Sequence, residues 1–335
     1  MLAVLFRSQD TLPALLRSLP NATKRPLELV LVDNCPDSPT PLGDTEGIQH
    51  VVREESERNV GFAAAVNRAA TLARAPWLVL VNPDAELGAR SIDTLLDAAS
   101  GAPAAGVLAP MLRDANGVPT LSCYPFPTLG TIAWRHFGLS RWLPGFSGGR
   151  LRTATLGADD GKPIAVDWAQ GACWLIRRDV WDELGGFDER FLLYCEEVDF
   201  CLRARRAGWQ TYFVAAASAK HLEAASSRQV IRLKLASHYF SKITYFAAHH
   251  SAFSLLALRA LFALDLTARV VLRLAGLPVG RPPDARDRLQ CYVLVLRSIL
   301  TRSVVGIRNT WATLATEAGA HRPPATPSPP RPMTA

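Results

Sequence analysis

Three short aliphatic runs, Leu2–Phe6, Leu27–Val32 and Trp77–Val81, each stop abruptly at a polar cluster, and segments with helical spacing separate them. The clusters are Arg7-Ser8-Gln9, Asp33-Asn34 and Asn82-Pro83-Asp84. A further short strand is expected at Ile48–Val52, with helices over Thr11–Leu19, Ala63–Ala73 and Ser91–Ala99. Strands alternating with helices imply parallel βαβ units, and in such sheets ligands gather beyond the carboxyl ends of strands. Asp33 and Asp84 both stand at such an end, which makes them the first candidates for function.

Beyond this region the pattern loosens. Residues 111–165 are rich in Gly and Pro and are expected to form a loop-rich crossover or lid. Strand character resumes over Val166–Arg177, helices are expected at Arg178–Leu184 and Glu196–Ala207, and a strand at Thr211–Val214. From Ile231 to Leu277 and from Leu289 to Leu314, apolar and basic residues recur at helical spacing. Residues 319–335 are Pro-, Ala- and Thr-rich and read as a disordered tail.

Charge divides the chain at about the same place. The net charge is +7, but from Arg228 onward 15 Lys/Arg face 4 Asp/Glu, while the preceding residues carry 22 against 26. A basic, apolar extension (228–318) behind a mildly acidic body (1–227) suits an anionic lipid surface. Its basic residues sit among Leu, Val and Ala rather than in polar clusters, which argues against nucleic acid as a partner. The same helices could instead complete the protein's own core or form a homodimer interface. The stretch closest to a membrane span, Ser251–Leu274, is interrupted by Arg259, Asp265, Arg269 and Arg273, so an interfacial helix fits better than a spanning one. The six cysteines contain no C-x-x-C pair, and the chain begins in a strand-like run. Both features fit reduced thiols in a cytoplasmic enzyme.

Several residues carry chemistry. A carboxylate such as Asp33 at a strand end can hydrogen-bond a base or ribose, or simply cap its loop. Asn59-Val60-Gly61 precedes an Ala-rich helix containing Asn67. Gly61 permits close backbone approach, and a helix amino-terminus favours phosphate. Asp84, two residues after Asn82, can ligate a hard divalent cation already bound to a diphosphate, or close an Asx-type turn. In Tyr194-Cys195-Glu196-Glu197-Val198-Asp199, three carboxylates crowd a helix start. They can satisfy the helix dipole, but crowding should also raise one pKa and poise a general base. Arg203, Arg205 and Arg206 follow, able to neutralise the cluster or to reach for phosphate. His221, after Lys220, is a ligand or a structural residue.

In order and spacing these motifs resemble family 2 inverting glycosyltransferases of the GT-A fold, in particular the bacterial rhamnosyltransferase-like branch. The resemblance runs from residue 2 to about residue 225. It rests on V-L-V-D-N, N-V-G-F-A-A-A-V-N, V-L-V-N-P-D-A, Q-G-A-C-W-L-I-R-R, G-G-F-D-E-R-F-L-L-Y-C-E-E-V-D-F-C-L-R and H-L-E-A-A-S. It implies an α/β fold with a Rossmann-like, mostly parallel central sheet, followed here by a helical extension. By the resemblance, Asp33 contacts the donor base, Phe6 and Arg7 line the nucleotide pocket, and Asn59, Gly61 and Asn67 shape the donor site. Asn82-Pro83-Asp84 looks like the family's D-x-D element, with Asp84 and His221 on Mg²⁺ or Mn²⁺ and Asn82 replacing the first acid. Glu197 takes the catalytic base position, flanked by Glu196 and Asp199. Trp168, Gln170 and Gly171 fall on the acceptor side, where Trp168 either stacks on a sugar or belongs to the core.

The expected reaction is inverting transfer of a sugar from a nucleotide-diphosphate donor to a lipid-linked or polymeric envelope glycan, peripherally on the inner face of the cell membrane. L-Rhamnose from dTDP-rhamnose is the first expectation, with UDP-galactofuranose, UDP-glucose or GDP-mannose as alternative donors. Arg7-Ser8-Gln9 departs from the family's usual T-Y-N, which blurs the base contact. A nucleotidyltransferase would ordinarily place a Gly-rich basic loop after the first strand, and Phe6-Arg7-Ser8-Gln9 is not one. An inactive sugar-binding or scaffolding protein would have no need of Asp84, Glu197 and His221 together.

Overall fold

In the computed structural model, which describes residues 1–45, 47–136, 162–222, 231–275 and 285–320, the aliphatic runs form the spine of a nine-stranded sheet. Strands β1 (Leu2–Leu5), β2 (Glu28–Asp33), β3 (His50–Glu55) and β4 (Trp77–Val81) pair in parallel in the order β3-β2-β1-β4. Next to β4 lies β10 (Cys173–Arg177), antiparallel both to β4 and to β6 (Ala105–Arg113). The long β11 (Gln210–His221) runs parallel to β6, with β5 (Ala85–Leu87) and β8 (Ile164–Val166) antiparallel beside it. A small ribbon joins β7 (Cys123–Tyr124) to β9 (Trp168–Ala169).

The two-residue period of the strands decides which side chains meet which helices. Ala3, Leu5, Leu29, Leu31, Val79 and Val81 face α1 (Leu12–Ala22) and α3 (Ser91–Ser100). Leu2, Val4, Val30, Val32, Leu78 and Leu80 face α2 (Phe62–Leu72) and the aromatic group Trp174, Trp181, Phe187 and Phe200. A one-residue slip in any of these strands would exchange the two sets, so both covered faces pin the register. α4 (Leu129–His136) lies in the excursion between β7 and β8, while α5 (Arg178–Glu183) and α6 (Glu196–Arg206) follow β10.

The expected elements of the first 110 residues are all present, with the largest boundary shifts at α1, which continues past Leu19 and through Pro20 to Ala22, and at β3, which runs His50–Glu55 where Ile48–Val52 was expected. The stretch expected as one strand, Val166–Arg177, is broken at Gln170–Ala172. The Asn82 N–H donates to the Ala172 carbonyl (2.9 Å), so that break lies at the carboxyl edge of β4. The expected strand Thr211–Val214 is part of the much longer β11. Its Ala-rich continuation has weak strand propensity, but pairing with β5 and β6 overrides it across a bulge between Val214 and Ser218.

The basic C-terminal stretch forms four helices: α7 (Ile231–His249), α8 (Ala252–Leu274), α9 (Ala285–Thr301) and α10 (Val304–Ala320). Ser251 breaks α7 from α8, its hydroxyl accepting the Ser254 N–H (3.2 Å). These helices bury a third core of Phe240, Ile243, Phe246, Leu258, Phe262, Val295 and Trp311. Phe191, Cys195 and Val198, just before and within α6, belong to the same core. The extension therefore packs on the segment that enters α6, and burying each such large side chain contributes about 1.5–3 kcal/mol. Among the described residues no helix is long and apolar enough to cross a membrane. All six cysteines are free and buried. Residues 319 and 320, expected in the tail, complete α10, and 321–335 lie outside the described residues, as do 137–161 and 223–226 of H-L-E-A-A-S.

Candidate active site

The carboxyl edge of the sheet opens into a cleft of about 650 Å³. Phe6 and Asn34 enter it from the ends of β1 and β2, Asn59 and Gly61 from the turn before α2, and Asn82-Pro83-Asp84 from the end of β4. Gln170, Gly171 and Ala172 line it from the break before β10. Glu196 and Glu197 open α6 into it, and His221 arrives at the end of β11. Residues scattered over more than 200 positions of sequence thus share one cavity.

Asp84 and His221 meet because β11 runs on past its bulge and pairs His221 with Ala85. His221 Nε2 lies 3.3 Å from Asp84 Oδ1, and the Asn82 amide lies 3.4 Å from the same nitrogen. Two ligands at right angles on an octahedral ion with bonds near 2.1 Å are about 3 Å apart, so this pair fits a shared Mg²⁺ or Mn²⁺. Among the described residues no group of three or more His, Cys, Asp or Glu side chains is arranged to hold a metal. Two protein ligands suit an ion that takes its remaining oxygens from a diphosphate and water.

Tyr194 (φ 71°) and Cys195 (φ 68°) both adopt the left-handed conformation, an uncommon pairing for residues with a Cβ, and they turn the chain sharply into α6. That turn delivers Glu196 and Glu197 into the cleft at the helix start. Burial raises the Glu197 carboxyl to about 7, and burial followed by the Glu197 charge raises Glu196 well above the usual carboxylate range. Oε2 of each is buried with no hydrogen-bond partner among the described residues. Gly171 packs against Glu197, where an added Cβ would touch its side chain at 3.6 Å. A half-ionised carboxylate with an unclaimed oxygen is what a general base at neutral pH requires.

The turn before α2 is held by Asn34. Its amide donates to Asn59 Oδ1 (3.0 Å) and to the Gly61 carbonyl (3.1 Å), and its oxygen accepts the Val60 N–H (2.9 Å). Gly61 (φ 91°) is needed for a protein contact: an added Cβ would come within 3.0 Å of the Leu192 backbone. The Phe62 N–H, the first in α2, donates to the Leu192 carbonyl (2.7 Å). The amino-terminus of α2 therefore holds the loop that leads to α6, with this N–H no longer available for the phosphate contact expected of it.

Five of the expected site residues do not line the cleft. Asp33 is buried, and its carboxylate accepts from the backbone of Cys35 and Thr40 (3.2 and 2.6 Å) and from Arg53 (3.3 Å), which makes it the loop cap. Arg7 is also buried, its guanidinium 5.5 Å from the Phe6 ring centroid. Asn67 bonds both backbone groups of Phe187, accepting the N–H (2.8 Å) and donating to the carbonyl (2.9 Å), and so fixes the Gly186 turn from a distance. Asp199 is 1% exposed and saturated by Arg203 (2.7 Å) and His249 (2.6 Å), because its place one turn along α6 points it under the cleft. Trp168 stacks on Tyr124 (centroids 5.0 Å apart) and donates its indole N–H to the Pro125 carbonyl (2.9 Å), the core reading of the two open for it. Arg203 is committed to Asp199 and Arg205 to Asp167, not to a phosphate.

The cleft also contains residues that sequence reasoning did not single out. Asn34 is one, although it ends the V-L-V-D-N motif. Tyr194 is another, standing two residues before Glu196. Leu233, Lys234 and His238 enter from α7, where nothing in a basic amphipathic pattern distinguishes a cleft-facing Lys from a solvent-facing one.

Comparison with known proteins gives the family. Residues 40–239 match the family described as "Glycosyltransferase like family 2". The N-acetylglucosaminyl-diphospho-decaprenol L-rhamnosyltransferase of Mycobacterium tuberculosis strain H37Rv is 32% identical over 269 residues, covering 75% of this chain and 84% of the relative. The low-salt glycan biosynthesis hexosyltransferase Agl10 of Haloferax volcanii is 30% identical over 184 residues, 53% of either chain. Among solved structures, a mannosyltransferase from Pyrobaculum calidifontis in complex with GDP-Man and Mn²⁺ aligns with a TM-score of 0.48 at 19% identity, covering 95% of this chain and 84% of that one. With most of the catalytic sheet inside the matched segment, the chain belongs to the family 2-like glycosyltransferases.

Proposed function

We propose that this chain transfers L-rhamnose, with inversion, from dTDP-rhamnose to an N-acetylglucosaminyl-diphospho-polyprenol or a closely similar lipid-linked acceptor. The observation that carries the reading is the meeting of Glu197 with the Asp84–His221 pair in one cleft, in a chain 32% identical to a rhamnosyltransferase over 269 residues. Asp84 and His221 are the residues that would hold a divalent cation beside the donor diphosphate. When bound there, Mg²⁺ or Mn²⁺ would offset the charge that develops on the departing nucleoside diphosphate. Glu197 Oε2 takes the proton from the acceptor hydroxyl, whose oxygen then bonds to the anomeric carbon as the bond to the diphosphate breaks. Attack from the face opposite the leaving group inverts the configuration. Gln170 and Gly171 border the acceptor side of the cleft, and Phe6, Asn59 and Gly61 border the donor side.

Residues 1–227 form the catalytic part in this reading, and the helices of 228–318 rest the enzyme peripherally on the inner face of the cell membrane. Phe253, Leu256, Leu264, Val271 and Leu274 support that placement. Each is 57–78% exposed, and at 100° per residue all fall on one side of α8. A homodimer covering the same stripe is the competing use.

The test is transfer by the purified protein from a panel of nucleotide sugars to a short-chain polyprenyl-diphospho-N-acetylglucosamine, with and without divalent metal. Metal-dependent selectivity for dTDP-rhamnose is expected. Selectivity for another sugar nucleotide would keep the mechanism and discard the donor, and a folded protein that binds none would discard the enzyme.

A further inference from the structure

Among the described residues that line the active-site cleft, Lys234 is the single Lys or Arg, and the carboxyl groups facing the same cavity are those of Asp84, Glu196 and Glu197. Lys234 stands one turn before His238 on α7, so the two side chains share a helix face, and both border the cleft. The His238 ring stacks on Tyr194 with centroids 4.9 Å and planes 17° apart, which holds the imidazole against the turn that delivers Glu196 and Glu197. Leu192, Leu193 and Leu233 add apolar surface to the same cavity.

An acceptor that is a lipid diphosphate brings a second diphosphate into a cleft that must already receive the donor's. Asp84 and His221 with their cation can serve one of them. The other would face three carboxyl groups, and among the described lining residues Lys234 is the one Lys or Arg that sets a positive charge against it; burying unpaired anionic charge is costly. We propose that Lys234 and His238 form the diphosphate-binding site for the lipid-linked acceptor, with α7 supplying the acceptor half of an active site whose donor half lies on the sheet. The proposal rests on the lipid-diphosphate acceptor assigned above. It also gives the C-terminal helices a direct part in substrate recognition beyond supporting the fold.

The experiment compares the wild type, Lys234→Ala and Lys234→Arg on two acceptors: a short-chain polyprenyl-diphospho-N-acetylglucosamine and an alkyl N-acetylglucosaminide that lacks phosphate. Donor affinity is measured alongside by calorimetry. Losing one charge-assisted contact should raise KM for the diphosphate acceptor about 10- to 100-fold. KM for the alkyl acceptor and the donor dissociation constant should stay as they are, and Lys234→Arg should recover most of the loss. Equal losses on both acceptors with weakened donor binding would instead place Lys234 on the donor's diphosphate and overturn the proposal. Unchanged discrimination between the acceptors in Lys234→Ala would overturn it as well. A wild type that prefers the phosphate-free acceptor removes the lipid-diphosphate reading itself, an outcome distinct from a failure of Lys234 alone.

Discussion

In the proposed mechanism Glu197 takes the acceptor proton, and burial is the largest cause of its carboxyl's rise to about 7. The rate under kcat/KM conditions should therefore fall as pH drops below about 7, because only the ionised carboxylate accepts the acceptor proton. Glu197→Gln should lower kcat about 10²- to 10⁴-fold and flatten that limb of the profile. Stability should move in the opposite sense. A carboxyl whose folded pKa lies above its ordinary value of 4.5 favours the fold below that value and loses the contribution as pH rises through about 7. In denaturant titrations, Glu197→Gln should therefore gain on the wild type by about 1–3 kcal/mol between pH 4.5 and pH 8. At Gly186 (φ 72°) an added Cβ would lie 2.6 Å from Asn67 Oδ1, the acceptor for the Phe187 N–H. Gly186→Ala should cost about 2–3 kcal/mol from left-handed strain and the displaced hydrogen bond, read as a lowered midpoint in urea.

Between elements, the decisive joint is α6 against α7. Arg206 Nη1 lies 3.0 Å from His249 Nδ1 and donates to it, which leaves the ring proton on Nε2 facing Asp199 at 2.6 Å. A buried carboxylate deprived of one of its two partners pays much of the desolvation cost uncompensated. His249→Ala should destabilise the protein by about 2–4 kcal/mol, and His249→Gln, which retains a donor, by less. Comparing the two in thermal denaturation separates a lost hydrogen bond from lost packing. Because Asp199 lies under the cleft and outside it, Asp199→Asn should leave metal affinity unchanged, whereas Asp84→Asn should weaken it at least about tenfold. β11 makes a second joint, since its bulge and its pairing with β5 bring His221 to Asp84.

At the scale of the whole molecule, the C-terminal helices divide their apolar residues between two tasks. α7 buries Tyr239, Phe240, Ile243 and Phe246 in the third core, with Tyr239 packed on Phe262 of α8 and Phe240 on Trp311 of α10, while α8 keeps Phe253, Leu256, Leu264, Val271 and Leu274 outward over a length of about 30 Å. An exposed apolar stripe of that extent is unusual on an isolated globular surface and marks a binding face. The double substitution Phe253→Ser, Leu264→Ser should reduce sedimentation with anionic vesicles at least about tenfold while leaving activity on a water-soluble acceptor intact. If the same variant instead converts a dimer to a monomer in light scattering, the stripe is a subunit interface.

The sequence by itself determined the sheet order's starting material and the chemistry at the strand ends. Short aliphatic runs that stop at Asp33 or Asn82-Pro83-Asp84 are local patterns, readable because burial and period are properties of neighbouring residues. Glu196, Glu197, Asp84, His221, Asn82, Asn59 and Gly61 were named from such patterns, Phe6, Gln170 and Gly171 from the family resemblance, and all of them share the cleft. What only the tertiary structure decided was the direction of each remaining side chain. Asp33, Arg7, Asn67, Asp199 and Trp168 are spent on loops and cores, because their partners (Thr40, Phe187, His249, Tyr124) come from other parts of the chain. The four helices behind Ile231 could have been a membrane anchor, a dimer face or a core. Long-range packing made α7 a wall of the active site and left the stripe on α8 outward, a choice no local periodicity encodes because one amphipathic face looks alike whichever apolar surface covers it.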